Sequence, residues 1–262
     1  MDLSTVQAAL SVISGGLVGF SLGLVGGGGS ILAVPLLIYV VGIANPHVAI
    51  GTSAIAVAAS AALNLWNHGR AGNVKWRCAL VFAGAGVTGA LIGSTIGIWI
   101  DGQKLLMAFA VLMLAVAGLM LRKRGSTGDS QVRLNRDNLP WLLAIGLGAG
   151  LLSGFFGIGG GFLVVPGLML ATSMPILYAV GSSLVAVTAF GLATVANYAM
   201  SGLVDWSVAA LFLTGGALGG LAGATAAKTL AERRGVLNTA LAMLIAMVGS
   251  YMLLRGLVFA SA

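Results

Sequence analysis

The chain has 262 residues, of which 59% are hydrophobic and only 7% are charged, and its mean hydropathy is +1.06. Soluble domains carry about 25% charged residues, so this chain has too little polar surface to cover a water-facing core. The composition therefore excludes a soluble globular domain. The single cysteine, Cys78, also excludes an internal disulfide and a cysteine-based metal site.

The formal net charge of +7 does not indicate a nucleic-acid partner. The basic residues lie in short segments between apolar stretches, and no aromatic residues alternate with them as a binding platform. In a membrane protein, loop charge of this kind sets the orientation in the bilayer. We therefore expect contact with membrane lipid, and no nucleic acid.

Several uncharged stretches reach the roughly 20 residues that a membrane-crossing helix needs. They do not alternate between polar and apolar residues as the strands of a membrane barrel would, so helices are predicted. The stretches are Val6–Val41, His47–Trp66, Cys78–Ile100, Leu105–Leu121, Trp141–Val204, Trp206–Ala227 and Val236–Leu254. The fold class predicted is an all-α polytopic membrane protein.

The sequence contains an internal repeat. Gly23–Pro35 reads against Gly154–Pro166, and Ala49–Ser53 reads against Ala179–Ser183, with an offset that changes by only one residue. We predict two homologous repeats of four to five membrane segments each, with helices broken at glycine-rich tracts. The predicted divisions are a first transmembrane repeat (1–121), a cytoplasmic linker loop (122–140) and a second transmembrane repeat (141–262).

The glycine tracts bear on the topology. Ser30–Val41 would be roughly 18 Å long as a helix, too short for a hydrocarbon core of about 30 Å. If the chain turns back at the glycines, each repeat has an odd number of segments and the two are inverted. All basic residues except Lys104 and Arg255 then lie on one side, whereas parallel repeats divide them less unevenly. The positive-inside rule favours inverted repeats with a cytoplasmic central loop.

The same tracts are candidate binding elements. Glycine allows positive φ and close approach to a ligand, and the first N–H groups of the following helix carry partial positive charge. Inverted repeats with broken helices of this kind are typical of transporters that bind an anion near the bilayer midplane. The candidate substrate-binding residues are Gly27, Gly28, Gly29, Ser30, Thr52, Ser53, Gly159, Gly160, Gly161, Ser182 and Ser183.

Each of these features has a structural alternative. Hydroxyl side chains often bond to the backbone of their own or a neighbouring helix. Glycines at four-residue spacing let helices approach closely, and we assign that role to Gly15, Gly19, Gly23, Gly89, Gly93, Gly97, Gly215, Gly219 and Gly223. The repeated Asn67 and Asn197 lie at helix ends, where capping is expected.

All six acidic residues fall in loops, termini or helix ends, so no intramembrane proton-relay carboxylate is evident. The two histidines lack a second ligand at helical spacing, and no phosphate-binding loop is present. We predict no metal, no cofactor and no catalytic residues. The sequence leaves a homo-oligomer open.

The paired glycine tracts, each leading into a proline-containing apolar segment, resemble the sulfite exporter TauE/SafE family. The residues that carry the resemblance are Gly23–Pro35, Ala49–Ser53, Gly154–Pro166 and Ala179–Ser183. Membership implies a bacterial-type inner-membrane permease for sulfur-containing oxyanions such as sulfite, sulfoacetate, thiosulfate or other organosulfonates. The expected function is therefore export of such an anion.

Two other classes of function remain. Without a coupling carboxylate, the chain could be a passive anion channel, or a permease for a different small anion. Ser153 and Gly154 together with a histidine would suggest an intramembrane serine protease, but both histidines lie near helix ends in the other repeat and no Gly-x-Ser-Gly motif is present. Saturable, substrate-specific flux separates a carrier from a channel.

Overall fold

The computed structural model describes residues 4–25, 30–122, 134–229 and 234–260. Within these ranges the chain forms α-helices joined by short connections, with no strand. In chain order they are α1 (Thr5–Val25), α2 (Ala33–Tyr39), α3 (Pro46–Arg70), α4 (Trp76–Trp99), α5 (Gly102–Arg122), α6 (Leu139–Phe156), α7 (Gly161–Thr172), α8 (Ile176–Met200), α9 (Trp206–Thr229) and α10 (Arg234–Ala260). The all-helical prediction is confirmed.

Seven helices in the described ranges are long and apolar enough to cross a membrane, so the chain is a multi-pass membrane protein. The helices that follow the two glycine tracts are much shorter, with 7 residues in α2 and 12 in α7. Tryptophan side chains are exposed near helix ends, as expected where aromatic rings meet the membrane–water interface. They are Trp66, Trp76, Trp99, Trp141 and Trp206.

The two sets of five helices interlock instead of packing as separate units. The most extensive contacts join α1 to α9 and α4 to α6, followed by α3 with α8 and α5 with α10. Because the repeat relates α1 to α6 and α4 to α9, these contacts occur as matching pairs. The first helix of each half therefore packs against the fourth helix of the other.

Small residues make the α1–α9 and α4–α6 contacts possible. A Cβ atom added at Gly19 would collide with the backbone of Gly216, and one added at Gly93 would collide with the backbone of Leu151. The other members of the spaced glycine sets that we can assess, Gly15, Gly89, Gly97, Gly215, Gly219 and Gly223, are similarly crowded by a facing backbone. Their predicted packing role is confirmed.

The contacts also fix the relative directions of the helices. Gly15 and Gly19 of α1 face Phe212 and Gly216 of α9 in ascending order, so α1 and α9 run parallel. The same ascending order relates α4 to α6. In contrast, α3 and α8 run antiparallel, because Gly51 at the start of α3 meets Tyr198 near the end of α8.

The boundaries of the predicted divisions stay predictions. Helix α5 extends to Arg122 and α6 begins at Leu139, so both enter the segment that we predicted as the linker loop (122–140). Asn135 and Asn138 within it exchange side-chain to backbone hydrogen bonds before α6 begins. Residues 123–133 of this segment lie outside the described ranges.

A pair of glycines in α6 tests the close packing. A Cβ at Gly150 would collide with the Gly86 carbonyl of α4, whereas nothing lies within 4 Å of a Cβ at Gly148. We expect Gly150→Ala to destabilise the protein by about 1–3 kcal/mol through overpacking, measured as a lower unfolding midpoint in detergent. Gly148→Ala should leave the midpoint unchanged or raise it, because alanine favours a helix. Equal stability of the two variants would contradict the packing described here.

Candidate substrate-binding site

The second glycine tract forms the connection between α6 and α7. Gly157, which ends α6, and Gly159 and Gly160, which precede α7, have φ values of 65°, 64° and 67°. This left-handed region is costly for residues with a Cβ, and a Cβ at any of the three positions would also collide with a neighbouring side chain, so glycine is strongly favoured there. Residues 157–161 are all buried, and the break in the helix lies inside the protein.

The tract presents the positive end of α7. The first hydrogen bonds of this helix are donated by the N–H groups of Leu163 and Val164 to the carbonyl oxygen of Gly160, at 2.8 and 2.9 Å. The N–H groups of Gly161 and Phe162 precede this point, where a helix offers no intrahelical acceptor. Together with the helix dipole, they favour a negative group at this position.

Ser153 of α6 lies directly against this helix end. Its Oγ is 2.8 Å from the position that a Cβ atom of Gly160 would occupy. The side chain is fully buried, and its hydroxyl has no hydrogen-bond partner. A buried hydroxyl without a partner is costly, which makes Ser153 a candidate for contact with a ligand.

The wall opposite Ser153 comes from α3 and α8. The Ser53 hydroxyl of α3 donates to the Ile50 carbonyl at 2.9 Å and makes a longer contact of 3.4 Å with the Gly157 carbonyl. A Cβ at Gly159 would lie 2.5 Å from Val57 Cγ1 and 3.3 Å from Val187 Cγ1. The structure thus brings Ser53 of one repeat to the tract of the other, at the α3–α8 crossing.

The site contains no charged side chain among the described residues. The buried polar side chains in those ranges are uncharged: they carry the hydroxyls of serine and threonine residues and the phenol hydroxyl of Tyr198. A negative ligand at the start of α7 would therefore be held by N–H and O–H dipoles, without a buried cation to neutralise it. Such dipoles are effective in a dry interior, because the effective dielectric constant is low there.

The described residues include the end of the first tract. Gly27, Gly28 and Gly29 lie outside the described residues. Ser30 is fully buried and begins a short 3₁₀ turn that leads into α2. The helix that follows has 7 residues, compared with 12 in α7, so the two tracts open into segments of different length.

Thr52 and Ser182 occupy matching positions in the two repeats, and the hydrogen bonds that their hydroxyls accept come from outside the second tract. Thr52 Oγ1 accepts the N–H of Asp205, just before α9, at 3.0 Å, and Ser182 Oγ accepts the N–H of Lys75, just before α4, at 2.9 Å. Each hydroxyl thus joins α3 or α8 to the first residue ahead of a helix in the other half. Ser183 donates to the Val180 carbonyl in its own helix, at 2.8 Å.

The capping role predicted for the Asn197 side chain is wrong. Its Nδ2 donates to Ser94 Oγ at 2.8 Å and Thr95 Oγ1 at 2.9 Å, so the amide joins α8 to α4. Nearby on α8, the buried hydroxyls of Thr194 and Tyr198 have no partner. These groups form a polar strip between otherwise apolar helices.

Sequence reasoning considered Ser153 only as a protease serine and missed its place beside Gly160. A signal was present, because Ser153 is the only hydroxyl residue in α6. It has no counterpart in the first repeat, where Leu22 occupies the matching position. The repeat therefore does not indicate Ser153 as a candidate site residue.

The chain is 49% identical over 253 residues to a probable membrane transporter protein of Xylella fastidiosa (strain 9a5c), covering 96% of this chain and 97% of that protein. It is 27% identical over 211 residues to the probable membrane transporter protein YdhB of Bacillus subtilis (strain 168), covering 79% and 85% of the two chains. No solved structure shows a significant match. The family model described as sulfite exporter TauE/SafE matches residues 11–252, and the chain belongs to this family of membrane transporters.

Proposed function

We propose that the protein exports small sulfur-containing oxyanions, such as sulfite, sulfoacetate or other organosulfonates, across a bacterial-type inner membrane. The observation that carries the proposal is the buried, unpartnered Ser153 hydroxyl at the N-terminus of α7. Family membership supports the substrate class.

The anion would bind where the second tract meets α7. Its oxygens would accept hydrogen bonds from the N–H groups of Gly161 and Phe162 and from the Ser153 hydroxyl. Hydrogen bonds to a charged group contribute roughly 1.5–3 kcal/mol each, so several of them can offset part of the loss of hydration. Ser53 holds the tract through Gly157 and supports the site from α3.

In the conformation described, the tract is enclosed. Residues 157–161 are buried, and valines of α3 and α8 lie against Gly159. An anion would reach Ser153 only when neighbouring helices move apart, which is the behaviour of an alternating-access carrier. The hydroxyls of Thr52 and Ser182 would make and break their bonds to Asp205 and Lys75 during this movement.

We also propose that the two repeats are inverted, with the central loop in the cytoplasm. The helix directions support this arrangement. Helix α1 runs parallel to α9 and α4 runs parallel to α6, while α3 opposes α8. With the short turns between α3 and α4 and between α8 and α9, these relations give α1 and α6 opposite directions.

The membrane potential would drive export. No charged side chain is buried in the described residues, so the bound anion would carry its full charge through the site. An anion leaving a negative-inside cell gains about 2.3 kcal/mol per charge per 100 mV. The proposed carrier is therefore electrogenic and requires no buried carboxylate for coupling.

The direct test is sulfite flux in proteoliposomes with an imposed potential, with sulfoacetate and thiosulfate as competitors. We expect saturable flux that follows the potential and is inhibited by the other sulfur oxyanions. Flux that does not saturate would instead indicate the alternative, a passive channel. Folded protein with no flux of these anions would remove the substrate class, and other small anions would then be tested.

Ser153→Ala tests the proposed anion contact. Removing one hydrogen bond to the charged substrate should raise the KM for sulfite about tenfold, equivalent to roughly 1.5 kcal/mol. Ser11→Ala is the matched control, because Ser11 is also fully buried but its hydroxyl donates to the Gln7 carbonyl in its own helix. An equal change in KM for both variants would argue against a substrate contact at Ser153.

Gly160→Ala tests the backbone of the site. The new methyl carbon would lie 2.8 Å from Ser153 Oγ, which is too close for an unstrained contact. It would also place a residue with a Cβ in a left-handed backbone conformation. We expect loss of sulfite flux in protein that remains folded. Gly202→Ala introduces the same backbone strain at φ 68°, but with nothing within 4 Å, and should transport normally. Normal flux in Gly160→Ala would contradict the site.

Matching positions in the two repeats test the topology. Ala71 and Ser201 correspond through the repeat and lie in exposed connections after α3 and α8. In a Cys78→Ala background, we expect Ser201→Cys to react with a membrane-impermeant thiol reagent in intact cells, and Ala71→Cys to react only after permeabilisation. Labelling of both from the same side would mean parallel repeats.

A further inference from the structure

A cleft with a volume of about 220 Å³ opens at one end of the molecule, and its lining does not include the second glycine tract. It lies between the end of α2, the connection to α3, the start of α5 and the end of α10. We call it the Arg255 cleft, and its lining includes Tyr39, Gly42, Ala44, Gln103 and Arg255. Since a water molecule occupies about 30 Å³ of liquid, a partly hydrated small ion fits this space.

Arg255 is held in place by two tyrosines. Its guanidinium lies over the ring of Tyr39, 5.1 Å from the ring centroid, and its Nη1 donates to the hydroxyl of Tyr251 at 3.4 Å. The two tyrosine rings meet edge to face with centroids 5.4 Å apart. A guanidinium in a defined position offers paired N–H donors that match the oxygens of a sulfite or sulfonate group.

The charges around the cleft favour an anion. Asp101, the carboxylate nearest in sequence to Gln103, accepts the N–H groups of Gln103 and Lys104 at 3.1 and 3.2 Å, which caps the start of α5. Gln103 adds a neutral amide to the lining, and Arg255 is the charged residue of the lining. An oxyanion in the cleft would therefore meet the positive charge of Arg255, whereas Asp101 is not part of the lining.

The cleft is also placed on the proposed route. Buried Ser30 follows the first glycine tract and begins the 3₁₀ turn that leads into short helix α2, which ends at Tyr39 in the cleft lining. Pro46, the first residue of α3, lies in the same lining, and this end of α3 meets the connection between α8 and α9 through Thr52 and Asp205. The cleft is thus at the end that the proposed topology places outside the cytoplasm.

We propose that the Arg255 cleft is a second oxyanion site, at which a sulfonate or sulfite group binds as it leaves the transporter. The inference deepens the proposed function, on which it rests for the identity of the anion. Arg255 and Gln103 supply the contacts. Binding itself can be measured without transport.

The first experiment measures anion access to the cleft. In a Cys78→Ala background, Ala44→Cys places an exposed thiol on the cleft lining. In detergent micelles without phospholipid, the thiol should react with the anionic reagent methanethiosulfonate ethylsulfonate faster than with its cationic trimethylammonium analogue. Sulfoacetate should slow the anionic reaction, and Arg255→Gln should reduce the preference about tenfold.

Lys104→Gln is the matched control, since Lys104 is an exposed basic residue at the same end that does not line the cleft. It should keep most of the preference. If Lys104→Gln reduces the preference as much as Arg255→Gln does, the effect is diffuse surface charge and the proposal is overturned. The proposal is also overturned if sulfoacetate does not protect the thiol. It is likewise overturned if the reaction with the anionic reagent is slowed only when anionic phospholipid is added, because a lipid phosphate would then occupy the cleft.

The second experiment is transport of sulfoacetate presented from the cleft side. Arg255→Gln should raise the KM about three- to tenfold with little change in kcat, because the contact is partly exposed. Arg255→Lys keeps the positive charge but lacks the paired N–H donors, so its KM should lie between those of the unmodified protein and Arg255→Gln. An unchanged KM in Arg255→Gln overturns the second oxyanion site while the proposed function stands. Protection of the thiol by sulfoacetate in protein that transports no sulfur oxyanion overturns the proposed function alone.

Discussion

A broken helix in a bilayer leaves backbone N–H and C=O groups that lipid cannot satisfy, and the rest of this structure depends on enclosing that break. The tract at residues 157–161 is covered by α3, α6 and α8. Close covering requires helices that approach each other with little side-chain volume between them. The glycine faces at α1–α9 and α4–α6 provide this approach. Some glycines therefore break the helix, and others allow the close packing that encloses the break.

Enclosure also determines the electrostatics of the proposed site. A buried cation would bind an anion tightly, but it would itself be costly to hold in the membrane interior without its ligand. Hydroxyl and N–H dipoles avoid that cost, since they are neutral when the site is empty. Ser153 and the start of α7 form an arrangement of this kind, and weak but multiple contacts suit a carrier that must also release its cargo. The one arginine proposed to bind the anion lies at the molecular end, where water still reaches it.

Much of the fold could be predicted from the sequence, because the bilayer requires long apolar segments and these are visible in the composition and hydropathy. The internal repeat and the packing role of the spaced glycines could also be predicted from the sequence. The sequence could not say that α1 packs on α9 and α4 on α6, since many pairings of small-residue faces are sterically equivalent until the whole bundle is assembled. The capping prediction for Asn197 was wrong for the same reason. Its hydrogen-bond partners Ser94 and Thr95 are distant in sequence and become neighbours only through the α4–α8 contact. The positions of Ser53 and Thr52 relative to the tract likewise depend on helix rotation, which periodicity in an apolar segment does not fix.

Differences between the two halves carry as much functional meaning as their similarity. Ser153 is matched by Leu22 in the first repeat, and α7 is longer than α2. The start of α7 and the Ser153 hydroxyl beside it give the second half the features of an anion site. The first half instead leads from Ser30 to Tyr39 and the Arg255 cleft. If the anion binds chiefly to one half and leaves along the other, the asymmetry would give the two sides of the carrier different affinities, while the net direction of transport would still follow the membrane potential and the anion gradient.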